Sequence, residues 1–160
     1  MAGIVQALDG GAANLAYLKN ATAVGTSGLN VPSNAVNGSY VTGNGNNWYA
    51  TGTANSTTSP RLLIDLGAVY KIKRFKVLTT SNWGNTFATC SVYVSNSTSD
   101  AAADISLFRL AGYLSGLVNG TLSSSSLGQT AEGRYVMLTN FSVSGPAIAE
   151  IEIYSSEGPL

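Results

Sequence analysis

The chain has 160 residues, enough for one domain whose core needs no covalent staple. Apolar residues make up 44%, which excludes a disordered chain, while charged residues are only 10%, against roughly 25% in ordinary globular proteins. Eight basic and eight acidic residues cancel, which argues against nucleic-acid binding; the absence of histidine removes His-based triads, bases and metal sites, and the lone Cys90 removes an internal disulfide.

Residues 1–13, small and glycine-rich, read as an N-terminal arm that is either disordered or used to contact a neighbour. The N-terminal stretch MAGIVQALDGGAANLAYLKN, 1–20, has neither the basic start of a signal peptide nor an apolar run long enough to span a membrane. Asn14 to Val24 predicts an extended strand or turn lying against the body of the domain. From Gly25 to Ser59 periodicity fades, Asn-Gly at 37–38 and 44–45 signals turns, and Trp48 and Tyr49 interrupt a polar stretch. A long loop bearing aromatics is expected to be functional or packed as a lid.

The stretch RLLIDLGAVYKIKRFKVLTT, 61–80, organises the rest. Leu62, Ile64 and Leu66 alternate with Leu63 and Asp65, predicting a strand with apolar residues on both faces that Gly67 ends. A second strand follows over Val69 to Leu78, with a bulge between Ile72 and Phe75 where the alternation breaks. The four basic residues Lys71, Lys73, Arg74 and Lys76 read as a solvated strand face that discourages edge pairing, the alternative being a surface that meets phosphate, a sulfated glycan or a partner's acidic face. Residues 79–89, TTSNWGNTFAT, predict a polar loop with Trp83 near its tip, and CSVYVSN, 90–96, a half-buried strand. Asp100 to Asp104 has room for one helical turn. Gly112 and Gly116 break Ile105 to Val118 into short strands, and 123–133 reads as a flexible polar connection. RYVMLTNF, 134–141, and AIAEIEIY, 147–154, are the last strands, joined by a turn at Gly145 and Pro146, and 155–160 is a tail. Short strands between turn clusters, with little helix, predict an all-β sandwich.

Several segments in order resemble one superfamily: NLAYLKNATA at 14–23, AVNG at 35–38 followed by Trp48, LLIDLGAVYKI at 62–72, VYVSNS at 92–97, GRYVMLT at 133–139 and IAEIEIY at 148–154. Together they resemble the galactose-binding-like jelly roll that includes discoidin (coagulation-factor C-type) domains, F-type lectins and related carbohydrate-binding modules. The resemblance covers most of 14–154 and implies a jelly-roll sandwich of about eight strands, with a role in binding rather than catalysis. It departs from the F-type lectins in having SNWGNTFA and no histidine where they carry a His and an Arg-rich motif, and from the clotting domains in lacking their disulfide.

The resemblance also implies candidate sites. Trp83 with Asn82 and Asn85 lies in a loop like the sugar-contacting loop of lectin relatives, with Tyr49 and Asn55 as the opposite wall; an indole stacks on a sugar's apolar face while amides bond hydroxyls. Trp48 matches an early tryptophan that is expected in the core. A structural calcium in many relatives sits between the early loop and the last strand, which carries over to Asn37, Thr42 and Glu150, with Asn37 in place of the usual Asp. Asp65 and Arg134 are expected to form an ion pair. No carboxylate pair of the glycosidase kind stands out, and an enzyme is not expected.

The leading expectation is a non-enzymatic module that binds a glycan or cell-surface saccharide. The alternative is a structural or decoration protein of a virion, capsid or tail, contacting virion proteins or forming a homo-oligomer. A start at Met1 without a leader, a small-residue arm and a charge-poor surface favour the alternative; a phage surface protein that binds host glycans would combine both. An excised module of a larger secreted enzyme is a third possibility. The expected location is a virion surface or the extracellular space.

Overall fold

The computed structural model describes residues 8–9, 12–50, 59–80 and 87–156. Among these residues lie nine strands: β1 (Leu8–Asp9), β2 (Ala12–Ala13), β3 (Asn20–Val24), β4 (Trp48–Tyr49), β5 (Arg61–Thr79), β6 (Cys90–Ser95), β7 (Arg109–Leu114), β8 (Leu122–Thr139) and β9 (Ala147–Ser155). Every pairing is antiparallel. β1 and β2 form a small ladder inside the expected arm, and the other strands follow the order β4-β9-β5-β8-β6-β7, with β3 on the start of β5. The all-β jelly-roll sandwich is therefore the fold found.

Two long strands carry it. β5 pairs with β3 over Arg61 to Asp65, then with β9 over Ile72 to Thr79, and runs beside β8 through both halves. Gly67 does not end this strand, as its sequence predicted. It adopts φ +85°, a conformation that costs glycine least, and its N–H donates to Asp65 Oδ1 at 2.8 Å, so the strand bends without stopping. The register breaks between Asp65 and Tyr70, at that bend. A second break, between Ile72 and Arg74, is the bulge expected from the sequence. It changes the parity of the strand, so that Leu62, Ile64, Leu66, Ile72, Phe75 and Val77 all enter one core despite their uneven spacing.

Residues 123–133 are strand rather than flexible connection, the first half of the 18-residue β8. Leu127 and Ala131 supply the inward apolar side chains, while Ser123 and Ser125 do something a Leu could not. Ser123 Oγ accepts the Val118 N–H at 2.9 Å and Ser125 Oγ the Ser115 N–H at 3.2 Å. The serines thus satisfy backbone donors of a segment that belongs to no strand. The turn expected at 100–104 is followed by a 3₁₀ turn at Ile105–Leu107, whose start is capped by Asp104 accepting the Ser106 N–H at 2.9 Å.

The outer face of the β3/β5/β8/β6 half is covered as well. Leu63, Tyr135 and Met137 pack with Ala101 and Phe108 in a second cluster, and Arg61 ties the covering loop down by donating to the Ala103 carbonyl at 2.7 Å. Arg134 donates to both carboxylate oxygens of Asp65, at 2.7 and 2.8 Å, which is the expected ion pair. That bidentate contact holds the Asp65 carboxyl below its usual range. The basic run does not guard an edge, since β5 lies between β9 and β8. Instead Lys73 Nζ donates to the Gly128 carbonyl at 3.0 Å, and Arg74 and Lys76 lie 5.5 and 5.7 Å from the centre of the Tyr154 ring.

Candidate functional site

Residues 51–58 and 81–86, which hold most of the candidate sugar contacts, are each preceded by a described stem. Ala50, just before residues 51–58, donates its N–H to the Pro146 carbonyl at 3.1 Å. Thr80, just before residues 81–86, donates to the Ala147 carbonyl at 3.2 Å. Both candidate segments therefore leave the sandwich beside the same short turn, from β-structure fixed by the pairing of β4 with β9. Asn55, Asn82, Trp83 and Asn85 lie outside the described residues. Tyr49 is half-buried at the same end, and its N–H is held by the Asn30 carbonyl at 3.3 Å.

Trp48 is a core residue, as expected, with 0% exposure. Its Nε1–H donates to the Gly25 carbonyl at 3.2 Å, and its ring packs on Phe141, which meets Phe87 edge-on at 4.9 Å. This aromatic cluster packs next to the stem that ends at Ala50.

The second candidate lies along β9. A register break between Leu78 and Thr79 leaves Ala149 as the extra residue, so Ile148, Ile151 and Ile153 face the core while Glu150, Glu152 and Tyr154 take the other face. The chain around residues 37–42 then lies over that face. Gly38 N–H donates to Glu150 Oε2 at 3.0 Å, and Gly38 itself has φ +76° with the Tyr17 ring 2.5 Å from where a Cβ would stand. Only glycine fits there.

Glu150 has 0% exposure, and its Oε1 is buried without a hydrogen-bond partner among the described residues. The same is true of the Tyr17 hydroxyl, so two orphaned oxygens belong to residues that touch Gly38. Burial pushes the Glu150 carboxyl up to about 8, against the pull of the Gly38 N–H and with a further push from Glu152. Of the three residues expected around a cation, Asn37 and Glu150 are brought together through Gly38. Asn37 Oδ1 accepts the Ser39 N–H at 2.7 Å, and Thr42 is exposed with no hydrogen bond to Glu150. Among the described residues no group of three or more His, Cys, Asp or Glu gathers around a common point.

Sequence reasoning missed the neighbours of Glu150. Glu152 is buried and accepts hydrogen bonds from the Tyr40 hydroxyl and, at 2.7 Å, from the Tyr154 hydroxyl. Burial and then the contact with Glu152 hold the Tyr40 phenol well above its usual range. The alternation in IAEIEIY shows that both glutamates share a face, but not that the 37–42 segment covers it.

No protein-family model matches the chain, and no curated protein matches it in sequence. Solved structures match it in fold. The family 32 carbohydrate-binding module of NanJ from C. perfringens, determined in complex with galactose, aligns at a TM-score of 0.67 and 16% identity, covering 90% of this chain and 98% of that one. Chitosan-binding module 1 of a chitosanase/glucanase from Paenibacillus sp. IK-5 aligns at 0.65 and 20% identity, covering 89% and 98%. A fucose-binding module of Streptococcus pneumoniae aligns at 0.67 and 16% identity, covering 94% and 100%. At such identities the likeness is one of fold, and the chain has the galactose-binding-like, discoidin-type jelly-roll fold.

Proposed function

We infer that the chain is a non-enzymatic glycan-binding module whose ligand is held at the end of the sandwich that carries residues 51–58 and 81–86. The observation that carries this reading is the meeting of the two loop stems, Ala50 and Thr80, on adjacent carbonyls of the Pro146–Ala147 turn. It lets segments far apart in sequence supply one site. In this reading Trp83 stacks on a sugar ring while Asn82, Asn85, Asn55 and Tyr49 bond its hydroxyls. Modules of the same fold bind saccharides, among them galactose and chitotriose, which supports the ligand class. The module acts in the extracellular space or on a virion surface.

A structural calcium belongs to the same proposal. The orphaned, buried Oε1 of Glu150 is the feature that fits it: the cation would draw on the Glu150 carboxylate and on oxygens of Asn37 and the chain near Thr42, and would fix that loop on β9. The ion would supply structure rather than chemistry.

A second reading, a structural or decoration protein of a virion, is favoured by the edge of the sheet. On β7 Leu110 is 42% and Tyr113 64% exposed, an apolar edge suited to protein contact. A glycan-array screen of the wild type and Trp83→Ala, with calcium and with chelator, tests both. The glycan reading predicts binding that Trp83→Ala abolishes; silence across the array from folded protein supports the scaffold reading instead.

A further inference from the structure

The opposite end of the sandwich carries a hollow that none of these roles uses. Running from Cys90 to Ser95, β6 separates the two ends by about 17 Å at the usual rise per residue. At its far end lies an open cavity of about 330 Å³ between the end of β6, the start of β7 and β8, with Asn96, Leu107, Phe108, Arg109 and Glu132 in its lining. A second hollow, about 310 Å³, adjoins it across Glu132 and is lined by Lys71, Thr130 and Ser156.

The polar groups here are exposed and only partly engaged by the rest of the protein. Asn96 Oδ1 accepts the Arg134 N–H at 2.9 Å, which turns the amide and leaves its Nδ2 without a partner among the described residues. Arg109 is fixed by pairing with Val94 and donates one Nη2–H to the Glu132 carbonyl at 3.3 Å. Among the described residues neither its remaining N–H donors nor the Glu132 carboxylate has a protein partner. Arg109 and Glu132 thus form no ion pair with each other, although they line the same cavity.

That combination selects a ligand. An anion would meet Glu132 and a cation would meet Arg109, so a neutral occupant suits both. Guanidinium and amide donors beside a carboxylate acceptor match a ring bearing several hydroxyls, each of which both donates and accepts. Leu107, 51% exposed, offers an apolar surface for the ring's C–H face, and a cavity of this size holds a sugar ring. The neighbouring hollow extends the site by a further ring.

We propose that this groove, centred on Glu132 and flanked by Arg109 and Asn96, is a second saccharide site for a neutral linear oligosaccharide, making the module bivalent end to end. Binding in the groove stands independently of the loop site, while the bivalency rests on that proposed site. Bivalency would raise avidity for surfaces that display the glycan densely.

The test is an ¹⁵N–¹H NMR titration of the full chain with maltotriose, cellotriose and triacetylchitotriose, repeated on Trp83→Ala, Arg109→Ala and Glu132→Ala. The proposal predicts that one of these sugars shifts the amides of Asn96, Leu107, Arg109 and Glu132. Those shifts persist in Trp83→Ala and weaken about tenfold in apparent affinity in the other two variants, the loss expected for one charge-assisted hydrogen bond. The dispersed spectrum of each variant reports that it is folded. Shifts confined to the Tyr49 and Thr80 end, or no shifts with any of the three sugars at tens of millimolar, overturn the second site. The first of those results leaves the loop site standing.

Discussion

Replacing Glu150 by Gln isolates the most unusual group in the molecule. The buried carboxyl sits at about 8 in the folded chain and returns to 4.5 on unfolding. Between those values the folded chain holds a proton that the unfolded chain has released. The unfolded state is thus favoured progressively as pH rises, and stability is fullest below the unfolded value. Integrating over that difference, calcium-free protein loses about 3 kcal/mol between pH 5 and pH 8 from this group alone. Asp65 and Asp104, both lowered, titrate below this window and do not disturb it. The assay is urea denaturation at intervals across the range, in chelator, on wild type and Glu150→Gln. The wild type should weaken with pH while the variant stays flat, because glutamine keeps the acceptor for Gly38 without the charge. Calcium, which needs the ionised carboxylate, should restore wild-type stability chiefly at the upper end. A wild-type profile that is flat or rises, or an equal slope in the variant, would refute the account of Glu150.

Gly38→Ala places a Cβ 2.5 Å from the Tyr17 ring at φ +76°, and should cost about 2–3 kcal/mol in equilibrium unfolding. Trp48→Ala empties the aromatic cluster it forms with Phe141 and Phe87 and should cost about 3–5 kcal/mol by the same measurement. For Asp65→Asn and Arg134→Gln, a double-mutant cycle should show favourable coupling at neutral pH. The coupling should fade as pH falls through the lowered Asp65 value, and its absence at neutral pH would contradict the bidentate geometry.

Much of this fold was legible because its signals are local. The period-2 runs at 62–66, 90–95 and 147–154 fix strands whose partners only the fold reveals. The broken alternation between Ile72 and Phe75 gave the bulge away, since a strand in two halves of one sandwich must change parity to keep its apolar side inward. Gly67 and the serines at 123–126 misled for a shared reason. Residues typical of turns also serve strands where a bend is needed, or where backbone donors nearby must be satisfied. Asp65 with Arg134 could be paired from matching segments alone.

The sites were less legible, because they depend on what covers what. Nothing local in IAEIEIY distinguishes an exposed glutamate from one sealed under a loop more than a hundred residues earlier. Asn96 follows the end of β6, Arg109 starts β7 and Glu132 lies inside β8, and they converge only through the register of the three strands. Tyr49 and the stems Ala50 and Thr80 gather at one end, while Asn55, Asn82, Trp83 and Asn85 lie outside the described residues.

The claim that matters most is that the loop end binds glycan, and calorimetric titration of the strongest array glycan into wild type and Trp83→Ala tests it most directly. The account predicts a saturable isotherm for the wild type and a loss of affinity of about tenfold or more in the variant, the scale of one stacking contact. Equal affinity in a folded variant would place the glycan elsewhere, and no heat from the wild type would remove the glycan reading altogether.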